Sequence, residues 1–146
     1  MIPHAAATSR VEHRVAFYET DAMGVVHHAN YLRFFEQARV IWLEENDRPY
    51  TEYMAMGLHF AVTRAEVDYH LATRFDDRLV ITTWAEWVRG ASLRMAYLVD
   101  REDERVASGA TEHATIDLDQ GRVRRLPREA RARLQALVSP DSPPAP

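Results

Sequence analysis

Tyr18-Glu19-Thr20-Asp21-Ala22-Met23-Gly24-Val25-Val26-His27-His28-Ala29-Asn30-Tyr31-Leu32-Arg33-Phe34-Phe35-Glu36-Gln37-Ala38-Arg39 is the stretch that decides the fold, because its second half takes on a helical period. Tyr31, Phe34, Phe35, Ala38, Ile41 and Trp42 recur at the i, i+3, i+4, i+7 spacing of one helix face and predict a helix over about Tyr31–Glu45. Leu32, Val40 and Leu43 widen that face until little but Arg33, Glu36, Gln37, Glu44 and Glu45 stays polar. A helix this apolar is expected to be surrounded by other elements, not laid on a surface. Asn30 stands where an N-cap belongs.

Outward from the helix the period changes. Upstream, a short strand is expected over about His13–Tyr18, followed by a turn containing Gly24. Downstream, a loop runs through Pro49 and Gly57, and from Ala61 the pattern alternates. Thr63, Ala65, Val67 and Tyr69 face one way, and Arg64, Glu66 and Asp68 the other. Leu79–Val88, Leu93–Val99 and Arg105–Leu118 read as further strands, separated by the turn signals Arg89-Gly90 and Asp100-Arg101-Glu102-Asp103. Asp119-Gln120-Gly121 turns the chain again, and Pro127 opens a short helix to about Val138. The order is strand, one long apolar helix, then four strands in hairpin succession. That is an α+β domain with one curved antiparallel sheet around one helix. One helix covers one sheet face, so the other face or an edge is expected to meet a second subunit.

The chain has 146 residues, 47% of them hydrophobic, which suits one domain with a substantial core. That domain is expected over residues 10–138, with a flexible tail at 1–9 and a disordered proline-rich tail at 139–146. The formal net charge is −4 with no long basic run, which argues against nucleic acid as a partner. There is no cysteine, so disulfides, cysteine-based zinc sites and a thiol nucleophile are excluded. Residues 1–9 lack the charged and apolar regions of a secretory signal, and no apolar run is long enough to span a bilayer. A cytoplasmic protein is expected.

The chemistry concentrates between Phe17 and Tyr31, where two carboxylates, two histidines and a glycine precede the helix. A helix start exposes free N–H groups and a partial positive charge, which suits a developing oxyanion. A carboxylate there is held ready as base or nucleophile. The same residues also fit plainer roles: acids before a helix cap it, and a histidine pair in a turn decorates the surface.

The motif from Tyr18 to Arg39 closely resembles the signature of the 4-hydroxybenzoyl-CoA thioesterase family. It is nearest the branch of short acyl-CoA thioesterases encoded beside the Tol-Pal envelope system. The resemblance runs from about His13 to Leu137, including Tyr69–Leu79 and Arg122–Pro127; the N-terminal motif is specific, the rest fold-level. It implies a hotdog fold, an antiparallel sheet wrapped around one long helix, assembled as a homodimer or homotetramer. It implies hydrolysis of a short-chain or aromatic acyl-CoA to the free acid and coenzyme A, with no cofactor beyond the coenzyme in the substrate. The family's catalytic aspartate falls on Asp21. The residue whose backbone N–H holds the thioester oxygen, and which in that branch also carries a functional histidine side chain, falls on His28. His27 stands where tyrosine is frequent, Glu19 where the family has an acid, and Phe17 replaces a frequent tyrosine. In the hairpin Trp87–Ser92, Arg89 and Ser92 match positions that contact the coenzyme phosphates, in a segment less basic than in the 4-hydroxybenzoyl enzymes.

Two other functions fit a hotdog protein. A hydratase or dehydratase usually places its histidine and acid differently, and its His-Phe-Pro-type motif is missing. A non-hydrolytic acyl-CoA-binding protein gains nothing from an unpaired carboxylate at Asp21. No Gly-x-Ser-x-Gly occurs, so a serine hydrolase is excluded. Trp42, Trp84 and Trp87 read as core or interface, and Glu36 either lines the acyl pocket or forms an ion pair with Arg33 or Arg39, the ion pair being the preferred reading. The arginines from Arg122 to Arg133 read as a solvated face, His59, His70 and His113 as isolated, and no metal site is expected.

Overall fold

In the computed structural model, which describes Met1–Pro146, six strands form one antiparallel sheet against a long helix. The elements are β1 (Thr8–Arg14), α1 (Asn30–Asn46), α2 (Tyr50–Ala55), β2 (Leu58–Tyr69), β3 (Arg78–Val88), β4 (Ser92–Arg101), β5 (Glu104–Asp117), β6 (Arg122–Val123) and α3 (Arg128–Ala136). The strand order is β1-β3-β4-β5-β2, with β6 beside β5, and every pairing is antiparallel. The hairpin succession of β3, β4 and β5 is as the alternation predicts. α1 lies against β1 and β3 and buries Tyr31, Phe34, Phe35, Ala38, Trp42 and Leu43 in the main core. No helix is long and apolar enough to cross a membrane.

Four local readings change. The first strand is Thr8–Arg14, not His13–Tyr18, because beyond Arg14 the backbone leaves the ladder. Val15 donates to the Asp77 carbonyl, and Phe17–Glu19 closes a 3₁₀ turn. Phe17 and Tyr18 then both point outward, so their apolar character marks a surface and not a strand face. Asn30 does not cap α1; its Nδ2 donates to the Glu19 carbonyl at 2.7 Å, and Ala29 occupies the cap position. The short helix α2 falls where a loop was expected, and two-residue β6 follows the Asp119–Gly121 turn. Finally, α1 is not wholly surrounded within one chain: Leu32 and Val40 are 41% and 37% exposed. They lie on the face of α1 opposite Trp42 and Phe34.

The chain ends make specific contacts. Ser9 in β1 is buried, and its hydroxyl donates to Glu45 at 2.7 Å; the Ser139 hydroxyl donates to the His4 carbonyl at 2.5 Å.

Under α1 the sheet holds a buried polar chain in which Tyr97 Oη meets Thr111 Oγ1 at 2.6 Å, and that oxygen meets His113 Nε2 at 2.8 Å. The Phe35 ring stacks on Tyr97 at 4.2 Å. Gly109 lets the ring in, since a Cβ there would stand 2.6 Å from Phe35 and 2.4 Å from the Glu66 carbonyl oxygen. Burial first, and the Arg39 guanidinium second, push the His113 imidazole down from 6.5 to about 4, although the Phe60 carbonyl favours its charged form. The folded chain therefore keeps His113 neutral where the unfolded chain would protonate it. Its contribution is complete above about pH 6.5 and is lost as pH falls toward about 4, to roughly 3 kcal/mol. Urea unfolding between pH 7 and pH 4.5 is expected to show a steeper loss of stability in the wild type than in His113→Gln; equal slopes would show that His113 does not titrate on unfolding.

Candidate active site

The loop from Thr20 to Val26 is a tight reversal. Thr20 bridges Val26, Asp21 N–H donates to the Val25 carbonyl at 2.9 Å, and Gly24 N–H donates to the Asp21 carbonyl at 2.9 Å. Gly24 takes φ +77°, a conformation that side chains strain, which explains glycine at this point of the turn. One oxygen of the Asp21 carboxylate, Oδ1, accepts the Met23 N–H at 2.9 Å. No other hydrogen bond or ion pair in the chain engages the Asp21 side chain, so its second oxygen is free.

His28 lies just ahead of α1. Its backbone N–H makes no hydrogen bond in the chain, whereas those of His27 and Asn30 are committed to the Glu19 and His27 carbonyls, each at 2.9 Å. The His28 ring stacks on His27 with centroids 4.2 Å apart, and its carbonyl accepts the Tyr69 hydroxyl at 2.8 Å. Asp21 and His28 line one cavity of about 290 Å³ together with Met23, Val25, Val26 and Tyr31 from the loop and helix start and Tyr69, His70, Leu71 and Ala72 from the end of β2 and beyond. Asp21, with a free carboxylate oxygen, and His28, with a free backbone N–H, thus line one mainly apolar cavity, and such a pair can polarise a carbonyl and attack it.

Glu19 holds this loop from behind. Its side chain is only 7% exposed, and Oε1 takes both the Ala16 N–H and His13 Nε2 at 2.7 Å. Its carbonyl takes the His27 N–H and Asn30 Nδ2. The His13 ring lies 4.6 Å from that of Phe34 in α1, so the end of β1, the 3₁₀ turn and the helix start are tied at one residue.

Arg89 and Ser92 do not join this site within one chain. The Asp21 loop packs on the segment before β3, where Val26 N–H donates to the Thr73 carbonyl and Tyr31 Oη meets Thr73 Oγ1, both at 2.7 Å. The Trp87–Ser92 hairpin sits past the other end of β3, eleven residues away, or about 35 Å of strand. There the Arg89 guanidinium lies 5.3 Å from the Trp87 ring centroid. Glu36 makes no ion pair with Arg33 or Arg39, against expectation. Tyr69 and His70 are cavity residues that periodicity alone did not single out. Tyr69 ends an alternating strand, and only its position beside the helix start gives it a role.

A curled antiparallel sheet around one long helix, with a carboxylate and a free N–H at the helix start, defines a hotdog protein with an acyl-transfer type of site. Residues 15–134 match the Thioesterase-like superfamily, and the chain belongs to it. It is 33% identical over 125 residues to the acyl-CoA thioesterase YbgC of Haemophilus influenzae, covering 85% of this chain and 92% of that one. Among solved structures it is similar to the DHNA-CoA thioesterase of Staphylococcus aureus, with a TM-score of 0.83 at 28% identity over 89% of this chain and 92% of that one. It is also similar to the hypothetical protein TT1821 of Thermus thermophilus, with a TM-score of 0.83 at 32% identity over 89% of this chain and 97% of that one.

Proposed function

We propose that this chain is an acyl-CoA thioesterase that hydrolyses the thioester of a short aliphatic or aromatic acyl group. The observation that carries the reading is that Asp21, with one carboxylate oxygen free, lines the same cavity as His28, whose backbone N–H is unpaired. The thioester oxygen accepts the His28 N–H, which stabilises the negative charge that develops there. Asp21 then follows one of two routes. It attacks the carbonyl carbon to give a mixed anhydride that water later opens, or it takes a proton from water as that water attacks. In both, the carbon–sulfur bond breaks and coenzyme A leaves as a thiolate, which needs little acid assistance. A cavity of about 290 Å³ with apolar walls supports a small acyl group. The name of the Staphylococcus relative, a DHNA-CoA thioesterase, keeps aromatic acids in the class.

The assembly proposed is a homodimer, paired further into a homotetramer. β2 is a twelve-residue strand at the sheet edge, and an open edge of that length is a natural pairing site. Beside it lie exposed Leu32 and Val62 and the unpaired charges of Arg33, Glu36 and Arg39, of both signs and so able to match the same patch on a second copy. As coenzyme contacts, Arg89 and Ser92 belong to the site of such a second copy. Sedimentation at graded concentration measures the native mass, and a monomer throughout would sink this assembly. A coenzyme A substrate fits a cytoplasmic location, and the net charge of −4 fits the absence of a nucleic-acid partner.

The test is free thiol release from short-chain, long-chain and aromatic acyl-CoAs. Turnover confined to short-chain or aromatic esters is the expected result. Tight binding of acyl-CoA without thiol release would leave a non-hydrolytic protein instead.

A further inference from the structure

Coenzyme A carries several phosphate groups toward a chain whose net charge is −4, so its binding needs a local cation that no acid neutralises. Two arginines near the catalytic loop are taken. Arg14 pairs with Asp76, and Arg101 pairs with Asp77 and Glu104, both at 2.8 Å. Arg74 differs, since only its backbone is engaged, its N–H donating to the Asp77 carboxylate at 2.9 Å and its carbonyl accepting the Asp77 N–H at 3.1 Å, while its guanidinium forms no ion pair. Its Nη1 stands 3.8 Å from where a Cβ on Gly24 would lie, which puts the guanidinium against the Asp21–Gly24 turn. Arg74 is not among the cavity-lining residues, so it sits outside the space that holds the acyl group.

Next to Arg74 in the chain, Phe75 is 54% exposed and meets Phe17, 76% exposed, edge to face at 5.7 Å; Tyr18 follows at 83% exposed. These aromatics cover one another only partly and leave an apolar ledge open, carried by residues next in the chain to an unpaired cation and to the loop that bears Asp21. Aromatic faces and an arginine fork are together what a phosphorylated nucleotide recognises.

We propose that Arg74 binds a phosphate of the substrate's coenzyme and that Phe17 and Phe75 form the ledge along which the coenzyme arm lies. This rests on the acyl-CoA reading and extends it. It places a coenzyme contact on the chain that carries Asp21, at the opposite end of β3 from Arg89. The long pantetheine arm lets the reacting carbonyl sit at Asp21 while the phosphates stay on the far side of the turn.

The experiment compares the wild type with Arg74→Gln in two assays. In calorimetric titration with free coenzyme A, the variant is expected to bind about tenfold more weakly, and added salt is expected to weaken the wild type more steeply than the variant. In thiol release, KM for an acyl-CoA is expected to rise about tenfold with kcat held, whereas the N-acetylcysteamine ester of the same acid, which has no phosphate, is expected to be turned over equally by both proteins. Unchanged coenzyme A affinity in Arg74→Gln would overturn the proposal. Equal loss on both esters would also overturn it, by showing that Arg74 merely supports the loop. Should the wild type bind coenzyme A through Arg74 yet release no thiol, the hydrolytic reading falls and the phosphate contact stands.

Discussion

Asp21→Asn is expected to lower thiol release from acyl-CoA by at least ~100-fold while leaving the urea midpoint nearly unchanged. The two halves of that result have separate causes. An asparagine keeps an oxygen where Oδ1 accepts the Met23 N–H at 2.9 Å, so the turn that Gly24 closes does not lose its internal hydrogen bond. It loses the charge and basicity that either chemical route requires, because an amide neither attacks a thioester nor takes a proton from water at a useful rate. The His28 N–H remains able to hold the carbonyl oxygen, so KM is expected to change little and the loss to fall on kcat. A variant that keeps wild-type turnover would move the chemistry away from Asp21. A variant that loses rate and fold together would show that the side chain is a structural anchor. Solvent oxygen-18 recovered in Asp21 after a single wild-type turnover would mark the route through the anhydride.

Much of this arrangement is legible in the sequence where a period lasts long enough to be read. α1 repeats its apolar residues over four turns, and β3 to β5 alternate between clear turn signals, so the element order and the curved sheet follow. The reading fails between Arg14 and Asn30, where hydrogen bonds and not periodicity determine the path. Phe17 and Tyr18 look like a strand end, yet the 3₁₀ turn exposes both. Asn30 looks like a cap, yet its amide is drawn to the Glu19 carbonyl eleven residues back. The motif placed Asp21 and His28 together by resemblance, and in the fold both line one cavity. The role of Tyr69, by contrast, depends on a contact forty-one residues away in sequence, its hydroxyl on the His28 carbonyl, which no local pattern encodes. Arg89 and Ser92 show the opposite difficulty, for a hairpin is easy to recognise but its distance from Asp21 appears only when the strands are laid side by side.

Glu19→Ala is expected to produce the other large effect, a loss of about 2–3 kcal/mol in stability together with about a tenfold fall in kcat. The stability loss follows from burial. The carboxyl group is nearly enclosed, and its removal strands the Ala16 N–H and His13 Nε2, which both reach Oε1 at 2.7 Å. The kinetic loss follows from position. The same residue's carbonyl anchors the His27 N–H and Asn30 Nδ2, so a shift at Glu19 is felt on both flanks of the His28 N–H and at the turn that carries Asp21. Catalytic geometry tolerates little such looseness, while ground-state binding of a flexible substrate tolerates more, which directs the effect to kcat over KM. Glu19→Gln retains an oxygen for the Ala16 N–H and is expected to recover part of both losses. A core truncation remote from the loop, Val99→Ala in β4, supplies the comparison, since Val99 is fully buried and touches none of these groups. If Val99→Ala, at a similar cost in stability, lowers kcat as much as Glu19→Ala does, then Glu19 acts only through global stability and not by holding the catalytic loop in place.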